Sequence, residues 1–373
     1  ATARNSSGNL ESVAVNVPRV NYPIGGGCPS WLVEPQSTNL FLNSNTIGSS
    51  GWSINGADSN ITLNDTNSPN GLIEGSKIEA TTTSVVQRFV VKSPSLTVSI
   101  GQQFTQSYYL KAGTYDKVAI VHTVNGLGTT YVDLTNKTIV SNSAGTTSKI
   151  IIEDNGWVRV EQTTPIELTG ANRVFGVYFS NNTFTSITAS QVIGNNFYIW
   201  GAQVEQGGLT SYIPTSGSTV TRNADVFQSL NVQNFVGATE GTIYFKLKNA
   251  IARSSTNKIM GLDDGSGGVS NFFGLYVANA STGQVAIRNR QANVDLTNTN
   301  IPNPENAKIA IKFSPSGIKT FLNGSLFQES TTAYSGFIED LVFNPFNGLI
   351  ELESLILFDT AKTDAELINL TTI

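Results

Sequence analysis

Residues 308–324 have the sequence Lys-Ile-Ala-Ile-Lys-Phe-Ser-Pro-Ser-Gly-Ile-Lys-Thr-Phe-Leu-Asn-Gly, and this stretch decides the fold class. It predicts a strand over 308–313 and a second strand over 317–322 that ends in a turn at Asn323-Gly324. Asn-Gly is the strongest short signal for a hairpin turn, because both residues accept positive φ angles. The stretch therefore predicts antiparallel β-structure.

The same pattern recurs along the chain. Apolar and polar residues alternate with period two in runs such as 77–80, 97–100 and 158–161, and turn residues separate these runs. Many short strands joined by such turns are typical of antiparallel sandwiches and jelly rolls. The convincing helical signal lies near the end, where Thr363 and Glu366 have the spacing of a capping box. We therefore expect an all-β protein with a short C-terminal helix.

Composition predicts two domains and restricts the functional classes. The chain has 373 residues, too many for one ordinary domain, and 13% of them are charged. The net charge of −5 supplies no basic field for nucleic acid. No apolar run approaches the roughly 20 residues that cross a bilayer, and the first residues do not form a secretory signal. We expect no nucleic-acid partner and no membrane insertion.

Changes in pattern along the chain suggest its division into domains. Residues 1–36 predict an extended N-terminal arm, and residues 37–215 and 229–373 predict two strand-rich domains, both antiparallel β-sandwiches. The segment 216–228 predicts a linker, because it follows Pro214 and is rich in Ser, Thr and Gly.

No motif predicts catalysis. Neighbouring carboxylates such as Glu153 and Asp154 point to opposite faces of a strand, and no Glu-x-Asp-x-x-Glu pattern, nucleophile elbow or P-loop is present. The single histidine, His122, lies in an apolar strand pattern and predicts a structural residue. The single cysteine, Cys28, excludes an intrachain disulfide and predicts a small residue in a turn before Pro29. We expect no catalytic residues and no required cofactor.

Aromatic residues are the candidates for ligand binding, because a ring face stacks on the apolar face of a pyranose. Trp157 and Trp200 lie in regular strand patterns and predict core positions. Trp52 follows a glycine in a loop rich in Ser and Asn and predicts an exposed ring. The remaining ligand-binding candidates are Tyr115, Tyr131 and Tyr334.

Calcium is the one ion that the sequence suggests. Asp263 and Asp264 lie in the glycine-rich loop 262–268, where hard oxygen ligands on a flexible backbone suit this ion. A solvated turn is the alternative, because the loop lacks the EF-hand spacing.

Four short phrases carry a resemblance. They are Gly-Gly-Gly-Cys-Pro-Ser-Trp-Leu-Val-Glu-Pro-Gln-Ser-Thr-Asn-Leu (25–40), Trp-Gly-Ala-Gln-Val-Glu (200–205), Ser-Tyr-Ile-Pro-Thr (211–215) and Thr-Arg-Asn-Ala-Asp (221–225). Together, and in this order, they resemble a family of bacteriophage virion proteins. In that family a galactose-binding-like jelly roll, similar to carbohydrate-binding modules, precedes a concanavalin A/laminin-G-like sandwich. The resemblance assigns these two folds to 37–215 and 229–373.

The resemblance implies a non-enzymatic structural protein on the virion surface: a head or tail fibre, a spike or a decoration protein. Its partners would be other virion proteins and a host cell-surface glycan, and such fibres are commonly homo-oligomers, often trimers. Two alternatives remain open. One is a secreted bacterial carbohydrate-binding protein, and the other is a phage polysaccharide depolymerase.

Overall fold

A computed structural model describes residues 2–54, 59–81, 91–92, 95–186, 193–252, 257–280, 282–344 and 348–373. In these residues the fold is all-β and antiparallel, with short helices, which confirms the predicted fold class. The chain divides into two compact units. The first comprises Ala1–Val15, Tyr22–Gly27 and Ser37–Arg222, and the second comprises Asn16–Asn21, Cys28–Gln36 and Asn223–Ile373.

The strands are numbered along the chain. The first ten are β1 (Thr2–Arg4), β2 (Leu10–Ser12), β3 (Val20–Asn21), β4 (Ser30–Val33), β5 (Ser37–Asn39), β6 (Ser53–Ile54), β7 (Ser59–Asn67), β8 (Ile73–Ala80), β9 (Val91–Lys92) and β10 (Leu96–Val98). The next ten are β11 (Phe104–Ala112), β12 (Lys117–His122), β13 (Gly128–Asp133), β14 (Thr138–Asn142), β15 (Thr147–Ile152), β16 (Trp157–Thr163), β17 (Ala171–Arg173), β18 (Phe175–Phe179), β19 (Asn196–Gln206) and β20 (Val220–Arg222).

The remaining strands are β21 (Phe227–Ser229), β22 (Gly241–Ala252), β23 (Lys258–Asp263), β24 (Phe272–Asn279), β25 (Gln284–Gln291), β26 (Val294–Asn300), β27 (Lys308–Ser314), β28 (Gly317–Leu322), β29 (Ser325–Ser330), β30 (Asp340–Phe343) and β31 (Gly348–Phe358). The helices of the described residues are α1 (Gln233–Val236) and α2 (Asp364–Thr371), with a 3-10 turn at Asp154–Gly156.

The first unit is a β-sandwich. Within its described residues, one six-stranded sheet, the β11 sheet, has the order β15-β16-β11-β19-β8-β7. A second, the β12 sheet, has the order β14-β13-β12-β18-β9-β6. Alternate residues of both sheets meet in one buried core, for example Leu110 on β11 and Ile120 on β12. The intervening residues point away from this core, so each sheet also has an outer face.

The second unit is a separate sandwich. Its described strands form a seven-stranded sheet, β29-β28-β27-β22-β31-β4-β3, and a six-stranded sheet, β21-β30-β23-β24-β25-β26. Ile311 on β27 and Leu275 on β24 belong to the core between them. The stretch 308–324 forms the β27–β28 hairpin, with Ser314 opposite Gly317, and its Asn323-Gly324 turn leads into β29. The hairpin prediction is therefore confirmed.

Residues 1–36, which the sequence predicts as an arm, contribute strands to both units. β1 pairs with β2 in the first unit, whereas β4 pairs with β31 in the second and β3 pairs with β4. The buried Arg19 guanidinium binds Glu34 at 2.8 Å and also pairs with Asp225. The part of this segment in the second unit is folded because β4 forms backbone hydrogen bonds with β31 and because two carboxylates neutralise the charge of Arg19.

Helix α2 begins as the sequence predicts. Glu366 N donates to Thr363 Oγ1 at 3.3 Å, and Thr363 N donates to Glu366 Oε2 at 2.7 Å, which completes the capping box. Leu367 packs with Tyr244 and Phe321 on the outer face of the seven-stranded sheet. In the described part of the chain, neither α1 nor α2 has the length and hydrophobicity to cross a membrane.

Candidate functional site

The phrases that carry the resemblance have structural roles. Asn39 is fully buried and serves as the centre of a network in the first unit. Its Nδ2 donates to Ala202 O at 3.1 Å and to Ile213 O at 2.8 Å. Its Oδ1 accepts from Phe41 N at 3.1 Å and from Val204 N at 3.2 Å. One side chain therefore connects three of the phrases, 25–40, 200–205 and 211–215.

A second side chain of these phrases supports the same network. Gln203 Oε1 accepts from Ile213 N at 2.7 Å, and Gln203 Nε2 donates to Glu205 Oε1 at 2.6 Å. Tyr212 Oη lies 2.7 Å from Ser44 Oγ, and the Tyr212 ring packs against Trp200. In the second unit, Asp225 of the fourth phrase pairs with Arg19. The polar groups of these side chains bind other residues of the protein, so they are not available to a ligand.

Trp52 does not form an exposed platform, contrary to its prediction from the sequence. Trp52 is only 9% exposed, and its ring centroid lies 5.1 Å from the ring centroid of Phe41 in the core. The indole Nε1 donates to Asn43 O at 2.8 Å. The loop composition suggested exposure, but a carbonyl partner for the indole N–H allows the ring to be buried.

Tyr115 and Tyr334 are also core residues, 9% and 7% exposed. Tyr115 Oη donates to Ser180 O at 2.6 Å, and burial raises the pKa of Tyr115 to about 12. Tyr334 Oη accepts from Ile338 N at 2.8 Å, and its ring packs against Phe313. Both hydroxyl groups bind the chain itself, so the structure does not support either residue as a ligand contact.

A lysine that precedes the loop 262–268 in the chain supplies a cation to it. The Lys258 ammonium pairs with Asp263, which is fully buried, and donates to Gly268 O at 2.9 Å. Asp264 accepts from Ser266 N at 3.1 Å and from Asn271 Nδ2 at 2.8 Å. Across the described ranges, no group of three or more His, Cys, Asp or Glu side chains is placed to hold a metal ion. The geometry therefore does not support the predicted calcium site.

His122 is buried and serves the fold. Its Nδ1 accepts from Val124 N at 3.2 Å, and its Nε2 lies 3.1 Å from Thr146 Oγ1. Burial lowers the pKa of His122 to about 4. The imidazole is therefore neutral at pH 7, with both nitrogens engaged. Cys28, in contrast, is an exposed free thiol.

Several buried carboxylates are paired with cations. A hydrogen bond from Arg173, supported by Thr169, lowers the pKa of Glu167 to about 2. Further buried ion pairs among the described residues include Glu34–Arg19, Glu153–Arg4 and Asp263–Lys258. Each of these carboxylates is therefore held by a cation of the chain itself.

Tyr131 is the sequence candidate that the structure leaves partly exposed. It packs with Ala119, Val121 and Tyr178 on the outer face of the β12 sheet, and these four residues are here called the tyrosine face. Ala119 lies opposite Tyr131 on β13 and opposite Tyr178 on β18. With neighbouring strands about 4.8 Å apart, the two tyrosine Cα atoms lie about 10 Å apart on either side of the small alanine.

Polar groups border the tyrosine face. Lys117 lies on the same strand as Ala119, two residues before it, and its Nζ donates to Asp116 Oδ1 at 2.6 Å. The Lys117 ammonium also lies 5.8 Å from the ring centroid of Phe184. Tyr178 is only 4% exposed, so Tyr131 is the more accessible of the two rings. Burial raises the pKa of Tyr131, which keeps its hydroxyl protonated.

Two aromatic positions lie outside the predicted set of ligand contacts. Tyr178 belongs to the alternating run 175–179. Trp31 is a tryptophan candidate of the sequence beside Trp52, and it is 40% exposed, the most of the four tryptophans. Its position on β4, near the edge of the seven-stranded sheet, explains the exposure, and the sequence gives no direct signal of that position.

Comparison with known proteins gives distant structural likenesses. No protein-family model and no curated protein matches the chain. One solved structure contains the CBM22-1-GH10 modules of endo-1,4-beta-D-xylanase 10B from Clostridium thermocellum, complexed with xylohexaose. It is 16% identical, with a TM-score of 0.27, over 49% of this chain and 30% of that one.

A second solved structure is the CBM22-1-CBM22-2 tandem domain of Xyn10C from Paenibacillus barcinonensis. It is 10% identical, with a TM-score of 0.28, over 88% of this chain and 99% of that one. Both TM-scores are below 0.5, so these likenesses do not establish a relationship.

Proposed function

We propose that the chain is a non-enzymatic glycan-binding protein and that the tyrosine face holds the sugar. The observation that carries this proposal is Tyr131, a partly exposed ring beside a small residue, with the Lys117 and Asp116 polar groups at the border. An aromatic ring face suits the apolar face of a pyranose, and the polar groups suit its hydroxyls.

Binding without turnover is supported by the state of the ionisable groups. His122 is neutral and fully engaged, and the buried carboxylates described above are paired within the fold. Hydrolysis of a glycan would need two carboxyl groups about 5–9 Å apart across an accessible cleft. At the border of the tyrosine face, the Asp116 carboxylate is held by the Lys117 ammonium at 2.6 Å.

The wider proposal is a component of a phage virion surface that contacts host glycans and other virion proteins as a homo-oligomer. Its support is the order of the four phrases in the sequence. A shallow site on an outer sheet face binds weakly, and repetition around a symmetric assembly would raise avidity by about 10²–10⁴. A secreted carbohydrate-binding protein would have the same binding site but would not be part of a phage particle.

A glycan array tests the binding site. Wild type should bind at least one class of glycan, Tyr131→Ala should lose most of that binding, and Tyr131→Phe should keep it because the ring remains. Tyr22→Ala is the matched control, because Tyr22 is also partly buried but lies outside the tyrosine face. Equal binding by wild type and Tyr131→Ala would refute this site.

Electron microscopy of phage particles labelled with an antibody to this protein tests the wider proposal. Label on the particle surface would support a virion component. Label confined to the bacterial culture medium would favour the secreted protein instead.

A further inference from the structure

The outer face of the β11 sheet carries a second aromatic surface, on the opposite side of the sandwich core from the tyrosine face. Trp157 lies on β16, yet its Nε1 donates at 3.0 Å to Asn67 O on β7, at the far side of the sheet. The end of β7 therefore approaches the Trp157 ring on this outer face. Tyr109 and Trp200 are buried in the same cluster, whereas Tyr198 at one end of it is partly exposed.

A lysine without a carboxylate partner lies beside this exposed ring. Lys111 is opposite Trp157 on one neighbouring strand and opposite Tyr198 on the other. Its Nζ is 6.0 Å from each of the two ring centroids. In the part of the chain that the structure describes, the Lys111 ammonium makes no ion pair and no hydrogen bond, and it remains partly exposed.

A second lysine lies on the other side of Tyr198. Lys77 on β8 is directly opposite Tyr198, so the ring stands between two ammonium groups in one cross-strand row. Lys77 is 3.5 Å from Glu79 and 3.9 Å from Asp65, so its charge is partly neutralised. The positive potential of the row is therefore centred on Lys111, in a chain whose net charge is −5.

We propose that this row binds an anionic pyranoside, a sugar unit that bears a carboxylate or a sulfate. The pyranose ring stacks on Tyr198, and its anionic group pairs with the Lys111 ammonium, with Lys77 contributing from the far side. Charge complementarity selects this ligand. A neutral sugar would leave the Lys111 ammonium unpaired and would gain binding energy only from its contact with the Tyr198 ring. The site lies on a different sheet from the tyrosine face, so each proposal can fail separately.

Affinity electrophoresis of the full chain tests the proposal with three probes: polygalacturonate for carboxylate, dextran sulfate for sulfate, and dextran as the neutral polymer. Wild type should be retarded by at least one anionic polymer, and the retardation should weaken at higher salt. Lys111→Gln should lower that affinity by about fivefold, as expected for one partly exposed ion pair. Tyr198→Ala should lower it as well, whereas Tyr198→Phe should not.

Lys149→Gln is the matched control. Lys149 is an exposed lysine on β15 of the same sheet, so its substitution makes the same change in net charge away from the row. Equal losses in Lys111→Gln and Lys149→Gln would overturn the proposal, because binding would then follow overall charge. Retardation by dextran alone that is lost in Tyr131→Ala would overturn the anionic-sugar proposal but would still support sugar binding at the tyrosine face. No retardation by any of the three probes would overturn it too.

Discussion

Substitution of Asn39 by alanine should destabilise the first unit by about 4 kcal/mol. The fully buried side chain makes four hydrogen bonds, to Ala202 O and Ile213 O and from Phe41 N and Val204 N. Each such bond contributes about 1 kcal/mol net, and the backbone groups left behind are buried. The loss should therefore be large for a single polar residue, since the bonds join segments far apart in the chain.

Urea denaturation followed by tryptophan fluorescence measures this loss. Three of the four tryptophans, Trp52, Trp157 and Trp200, belong to the first unit, so the emission mainly reports its unfolding. Thr38→Val is the control on the same strand, because it removes one exposed hydrogen bond and should cost about 0.5 kcal/mol or less. A loss below about 1 kcal/mol in Asn39→Ala would refute the role of Asn39 as the centre of the network.

Three further results are expected. Trp157→Ala should lower the free energy of unfolding by about 3–5 kcal/mol, because it empties a fully buried ring position, and an unchanged urea midpoint would contradict this. Because burial lowers the pKa of His122 to about 4, the unfolded chain binds the proton first. Stability should therefore fall as the pH drops from about 6.5 to about 4, and a thermal-melting profile of His122→Gln should lack this component. Because Lys258 already neutralises Asp263, EDTA should leave the melting temperature unchanged, and a calcium-dependent rise of several degrees would show that an ion binds there.

Local patterns explain what the sequence predicts correctly. Alternation along 317–322 and the Asn323-Gly324 turn specify the β28–β29 hairpin from local sequence alone. The Thr363 and Glu366 pair specifies the start of α2 in the same way. The burial of Trp157 and Trp200 also follows from strand alternation, but their cluster lies on the outer face of the β11 sheet and not between the sheets.

Contacts that form only in the folded chain explain what the sequence does not predict. The β4 strand pairs with β31, more than 300 residues later, and no local pattern in 1–36 signals that partner. Trp52 and Tyr334 are buried because their polar atoms find Asn43 O and Ile338 N, which composition cannot reveal. The sequence also gave no sign that Lys258 pairs with Asp263, the contact that argues against the calcium hypothesis.

Incubation of purified protein with host-envelope glycan tests the central claim, with bound glycan and released reducing ends measured in the same sample. The account predicts saturable binding that Tyr131→Ala weakens, with no increase in reducing ends over the buffer control. Release of oligosaccharides that depends on the protein would contradict binding without turnover.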